Sequence, residues 1–150
     1  MLPAVAAAAG FLRFLSLALV LGASALPLFP TAPGPALLAR ALGRRPLVAA
    51  SLVALAAGFV ELAARSADLL DLASGSGSPW WALVARTRLG KVWLGEQTAV
   101  LVLLALLGIR FDRGWIAAVA TVSLLLGPLA SHSAGLDDPV LAMAVHALHL

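Results

Sequence analysis

Four long apolar runs, separated by short polar or basic stretches, decide most of what this chain can fold into. AVAAAAGFLRFLSLALVLGASALPLF covers residues 4–29, PLVAASLVALAAGFVELAARSADLL covers 46–70, VWLGEQTAVLVLLALLGI covers 92–109 and WIAAVATVSLLLGPLA covers 115–130. A fifth run starts at Pro139 and is cut off at Leu150. A helix rises 1.5 Å per residue, so about 20 apolar residues cross a bilayer core. The first four runs are near that length, the fourth being the shortest. Long uninterrupted runs also exclude the alternating pattern of a membrane β-barrel.

Composition agrees. Of 150 residues, 62% are hydrophobic and only 11% charged, too little polar surface to solvate a soluble domain of this size. The sequence therefore predicts an all-α, polytopic transmembrane bundle: one domain over 1–150, with four spans and the start of a fifth. Residues 1–25 also admit a signal-peptide reading, with ASA at 23–25 as the cleavage site. The apolar stretch before Arg13 suits a full span better.

The basic residues set the orientation. Arg40, Arg44, Arg45, Arg110 and Arg113 follow the first and third runs, giving five on one side. Arg86, Arg88 and Lys91 give three on the other. The positive-inside rule then places the N-terminus outside, with 71–90 and 131–138 facing outward. Charge distributed this way suits topology and a lipid partner rather than nucleic acid. Trp80, Trp81 and Trp93, interleaved with the three basic residues, read as an interfacial anchor.

Two ionisable residues fall well inside spans. Arg13 and Glu61 each lie roughly 12–14 Å below the outer surface by helix rise, so adjacent antiparallel helices bring them level. A lone charge there costs about 2.5–3.5 kcal/mol or more, so an Arg13–Glu61 pair is expected. Glu61 is also a candidate for a cation or proton path. Arg65, one turn above, either snorkels outward or competes for Glu61. Glu96 and Gln97, near the outer end of the third run, read as a polar lining or as interfacial residues.

All three histidines lie in the last twenty residues, SHSAGLDDPVLAMAVHALHL. His132 falls just outside the fourth span. Met143, His146 and His149 recur every three residues on the fifth, on neighbouring parts of one helix face. Imidazole and thioether are the ligands a cysteine-free chain has for copper. His132, His146, His149 and Met143 are thus the candidate metal ligands, with ordinary helix packing as the alternative for each. Haem b is an alternative cofactor, held by His132 with His146 or His149. A third alternative is a membrane assembly subunit whose polar residues serve only packing. No catalytic constellation or Walker motif is present, so the chain is not expected to be an enzyme.

In LRFLSLALVLGASAL, in ARTRLGKVWLGEQ (85–97), in SHSAG (131–135) and in AVHALHL, the sequence resembles the membrane domain of the copper-resistance D (CopD-like) family. The resemblance implies copper movement or handling across the cytoplasmic inner membrane, in copper homeostasis or resistance, beside a periplasmic copper-binding partner. It matches His132 and His149 to the family's two histidine positions and assigns His146 none. The family's Trp-x-Gly-Gly segment, expected after the last helix start, is absent, so the expectation is an N-terminal portion of a longer protein or a truncated member.

Overall fold

The computed structural model describes residues 2–28, 43–72, 84–85 and 87–129, without the side chains of 68–72 and 128–129. These residues form four α-helices: α1 Leu2–Ala25, α2 Arg44–Leu72, α3 Arg88–Gly108 and α4 Arg113–Leu129. A 3-10 turn, Leu26–Leu28, closes α1 at Pro27. No strand occurs among the described residues. The helices coincide with the four apolar runs to within a few residues at each end. Three are long and apolar enough to cross a membrane, while α4, at 17 residues, is shorter. The fifth run lies outside the described residues.

Local sequence explains the ends. Thr87 caps α3, its hydroxyl oxygen accepting from Gly90 N at 3.0 Å. Asp112 does the same for α4, accepting from Gly114 N at 2.7 Å. Pro46 stands in the first turn of α2, where a missing N–H breaks no helical bond. At the end of α3, Ile109 N donates to Ala105 O at 3.0 Å and Phe111 N to Leu106 O at 3.0 Å. The second is the wide bond of a Schellman ending, with Arg110 at the left-handed position, φ 57°.

The helices run up and down in a ring. α1 packs on α2 and α4, and α3 packs on α2 and α4. Leu17, Val20 and Ala23 of α1 meet Leu47, Ala50 and Ala54 of α2 in reverse order, and Val100, Leu103 and Leu107 of α3 complete the core with Ile116 and Ala120 of α4. A smaller apolar cluster, Leu62, Val84 and Trp93, lies toward the other end.

The bundle is turned inside out relative to a soluble one. Alanine and serine dominate the interior, including Ala54, Ala120 and Ser51 at 0% exposure, while Phe11, Leu15, Leu52, Leu101 and Leu125 point outward. Small interior residues let backbones approach, and large outer ones meet lipid chains at no hydrophobic cost. Buried Ser16, Ser51, Ser66 and Ser123 return their hydroxyls to carbonyls of their own helices, at 2.8–3.0 Å.

Two neighbours on α3 test this arrangement. Leu103→Ala, at a fully buried site, lowers stability by about 2–5 kcal/mol. Leu101→Ala, on the outer face, changes it by about 0.5 kcal/mol or less. Thermal unfolding of both variants in detergent separates them, and equal losses would refute an outward-facing Leu101.

Candidate functional site: a buried charge cluster

Between the two apolar clusters, α1, α2 and α3 bring five polar side chains together. Arg13 Nη1 stands 2.5 Å from Glu96 Oε2 and 3.3 Å from Glu61 Oε2. Arg65 Nη2 stands 2.5 Å from Glu61 Oε1, one turn away on α2. Gln97 follows Glu96 and is 5% exposed. The side chains of Glu61 and Glu96 are 8% and 5% exposed, and that of Arg13 is 14%. Arg65 differs, at 42%. It reaches Glu61 from the rim, so it both pairs and extends toward the surface.

The expected Arg13–Glu61 pair is present. Glu96 is the nearer partner, buried inside the bundle rather than placed at its end. The reason is the start of α3. The helix begins at Arg88, so Glu96 lies eight residues in, about 12 Å by helix rise, the depth of Arg13.

Glycines make room for the cluster. A Cβ at Gly10 would stand 3.4 Å from Glu61 Oε1, and one at Gly127 would stand 3.4 Å from Glu96 Oε1 and 3.8 Å from Arg13 Nη2. α4 thereby closes the cluster on its fourth side with backbone. At Gly58 a Cβ would overlap the Gln97 amide nitrogen. The Gly58 carbonyl accepts a hydrogen bond from Trp93 Nε1 at 2.9 Å.

Trp93 corrects the sequence expectation. It is not an interfacial anchor but is 8% exposed, stacked edge-on against Phe59 with ring centroids 5.0 Å apart. An indole in an apolar setting needs an acceptor for its N–H, and the bare Gly58 backbone supplies one. Trp80 and Trp81 lie outside the described residues.

The cluster has equal numbers of cations and anions: Arg13 and Arg65 against Glu61 and Glu96. Its acceptors are nonetheless not used up. Glu61 Oε2, Glu96 Oε1 and both amide atoms of Gln97 are buried without a hydrogen-bond partner among the described residues. Buried polar groups are normally satisfied, so this is the chemically unfinished part of the bundle. What it offers is oxygen: two carboxylates and an amide, suited to a proton, a water or a hard cation.

It does not offer copper the soft ligands that the sequence suggested. Among the described residues no group of three or more His, Cys, Asp or Glu is placed to hold a metal. His132, Met143, His146 and His149 all lie outside the described residues. The last residue of α4, Leu129, precedes His132 by three positions.

A family model for the copper resistance protein D-like N-terminal domain matches residues 1–141. The chain belongs to this copper-resistance-D-like family. No curated protein and no solved structure matches it. Family membership and the apolar helices together make it a membrane protein related to copper resistance.

Removing Arg13 tests the cluster. Arg13→Ala strands the buried Glu96 carboxylate, leaves Glu61 with Arg65 alone, and lowers stability by about 3–5 kcal/mol. Adding Glu96→Gln recovers part of that loss by removing one uncompensated charge. Arg65→Ala, acting on a solvent-screened pair, changes stability by about 0.5 kcal/mol or less. Detergent unfolding of the three variants reads this order; a harmless Arg13→Ala would show the pairing to be incidental.

Proposed function

We propose that this protein handles or transports copper ions across the cytoplasmic membrane and contributes to copper homeostasis and resistance. The supporting observation is the charge-balanced, mostly buried cluster of Arg13, Arg65, Glu61, Glu96 and Gln97, with acceptors left open beside the end of α4. The histidine-bearing segment continues from that same end of α4. His132, His146, His149 and Met143 take the ion as cargo near the outer face. Imidazole and thioether bind copper, thioether favouring Cu(I). Below them, Glu61 and Glu96 present oxygens to a cation or to a compensating proton. Arg13 and Arg65 together keep the local charge near zero, so a cation is not trapped. Movement needs no catalysed reaction, only ligand exchange between weak sites.

In this reading the N-terminus and the histidine segment face outward, where a periplasmic copper-binding protein delivers or receives the ion. The chain has no cysteine, so single introduced cysteines report the topology cleanly. Ser76→Cys is labelled by an impermeant maleimide in intact cells, and Ala41→Cys only after permeabilisation. The opposite pattern inverts the orientation.

Function is tested in the full-length protein. His132→Ala with His149→Ala abolishes copper-dependent accumulation and the matching growth phenotype, while membrane abundance is retained. Glu61→Gln, which keeps shape and removes charge, reduces copper movement with the bundle still folded. Unchanged cellular copper in the histidine double variant overturns the proposal. Loss only with variants that unfold the bundle favours a packing role for the polar residues.

A further inference from the structure

The opposite end of the bundle carries a different charge pattern. The C-termini of α1 and α3 meet the N-termini of α2 and α4 there, and Arg44, Arg45, Arg110 and Arg113 gather around them. The one acid nearby in sequence, Asp112, is engaged as the cap of α4. A cavity of about 340 Å³ is lined by Ser24, Arg44, Arg110 and Arg113 among apolar neighbours. A second recess, of about 730 Å³, shares Arg44 and Arg110, adds Arg45, and continues along the outside of α2 over Val48, Ala49 and Leu52.

Topology signalling alone explains the presence of arginines, but three details of their setting go further. Ser24 is 1% exposed and its hydroxyl has no partner among the described residues, whereas the other four buried serines bond back to their own helices. Arg44 Nε is likewise buried and unpartnered, although Nη2 of the same side chain donates to Gly108 O at 2.5 Å. Arg110 occupies the left-handed position of a Schellman ending, φ 57°, where glycine is the unstrained choice. An arginine stands there instead, and it lines both recesses.

We propose that this arginine-lined cavity binds the phosphate of an anionic phospholipid. The guanidiniums of Arg44, Arg45 and Arg110 and the hydroxyl of Ser24 supply donors for phosphate oxygens. The recess along Val48, Ala49 and Leu52 takes the start of an acyl chain. That apolar continuation selects a lipid over a soluble anion, and basic pockets between membrane helices suit such headgroups. The inference is independent of copper.

The test uses the full chain purified in neutral detergent. Phosphatidylglycerol, phosphatidylcholine and inorganic phosphate are added separately, with binding read by native mass spectrometry and thermal stability. Phosphatidylglycerol binds and raises the unfolding temperature; phosphatidylcholine does not. Arg110→Gly weakens phosphatidylglycerol binding about fivefold, the loss expected for one arginine at a headgroup. The same variant unfolds no earlier than the parent without lipid, because glycine relieves the backbone strain. This separates lost binding from lost folding. Ser24→Ala weakens binding in the same direction. Equal effects of the two lipids, unaltered phosphatidylglycerol binding in Arg110→Gly, or a full response to inorganic phosphate alone would each overturn the proposal.

Discussion

Arg13 between two carboxylates is the interaction on which the rest of the bundle depends. A single guanidinium inside a membrane-spanning helix cannot be left without a counter-charge. Its partners come from two other helices, Glu96 of α3 at 2.5 Å and Glu61 of α2 at 3.3 Å. One side chain therefore fixes the relative depth of three helices. A slide of α3 by one turn would move Glu96 about 5.4 Å away and leave it as a buried, unpaired charge. Apolar packing alone gives no such register, since alanine and leucine surfaces slide past one another at little cost within lipid.

The glycines follow from that constraint. Two carboxylates and a guanidinium need volume where helix backbones are otherwise in contact. Gly10 and Gly127 give that volume on α1 and α4, each keeping a side chain away from a carboxylate oxygen. Gly58 has a related role for Gln97 and also exposes the carbonyl that Trp93 requires. Four of the interior serines, Ser16, Ser51, Ser66 and Ser123, satisfy themselves within their own helices and place no demand on neighbours. Most polar groups of the interior are thus of two kinds: self-contained hydroxyls that pack like small apolar residues, and charges that bind helices to each other.

Much of this was legible in the sequence, and the failures have physical causes. Helix number over the described residues followed from apolar run length, and the Arg13–Glu61 level followed from helix rise alone. The nearer partner, Glu96, is less legible because the apolar run of the third span begins only at Val92. Thr87 starts the helix earlier, and a capped first turn carrying Arg88 and Lys91 has no hydropathy signal. The same earlier start carries Trp93 into the bundle. Its N–H finds an acceptor only because Gly58 faces it across a helix pair, and such juxtapositions depend on rotation about helix axes. Low side-chain asymmetry around alanine-rich helices hides that rotation from a single sequence. The histidines were the more prominent sequence signal, yet they lie outside the described residues, so the polar cluster rather than the ligand set gives the candidate site its geometry.

The two ends of the bundle handle positive charge by different physics, and this separates their roles. At the cluster end, glutamates on α2 and α3 neutralise Arg13 and Arg65 from within, so the charges can be buried. At the other end no glutamate serves. Arg44 and Arg113 turn instead to main-chain oxygens at the C-terminal ends of α3 and α1, bonding Gly108 O at 2.5 Å and Ala23 O at 3.3 Å. Helix C-termini carry a partial negative charge, only a fraction of a full counter-ion. Arg44 and Arg45 also sit at the N-terminus of their own helix, whose dipole opposes them. Among the described residues, Arg44 at this end is therefore met by partial charges, whereas the charges of the cluster end are balanced by full counter-ions. The same charge is thus buried where carboxylates meet it and left at the rim where only helix ends do.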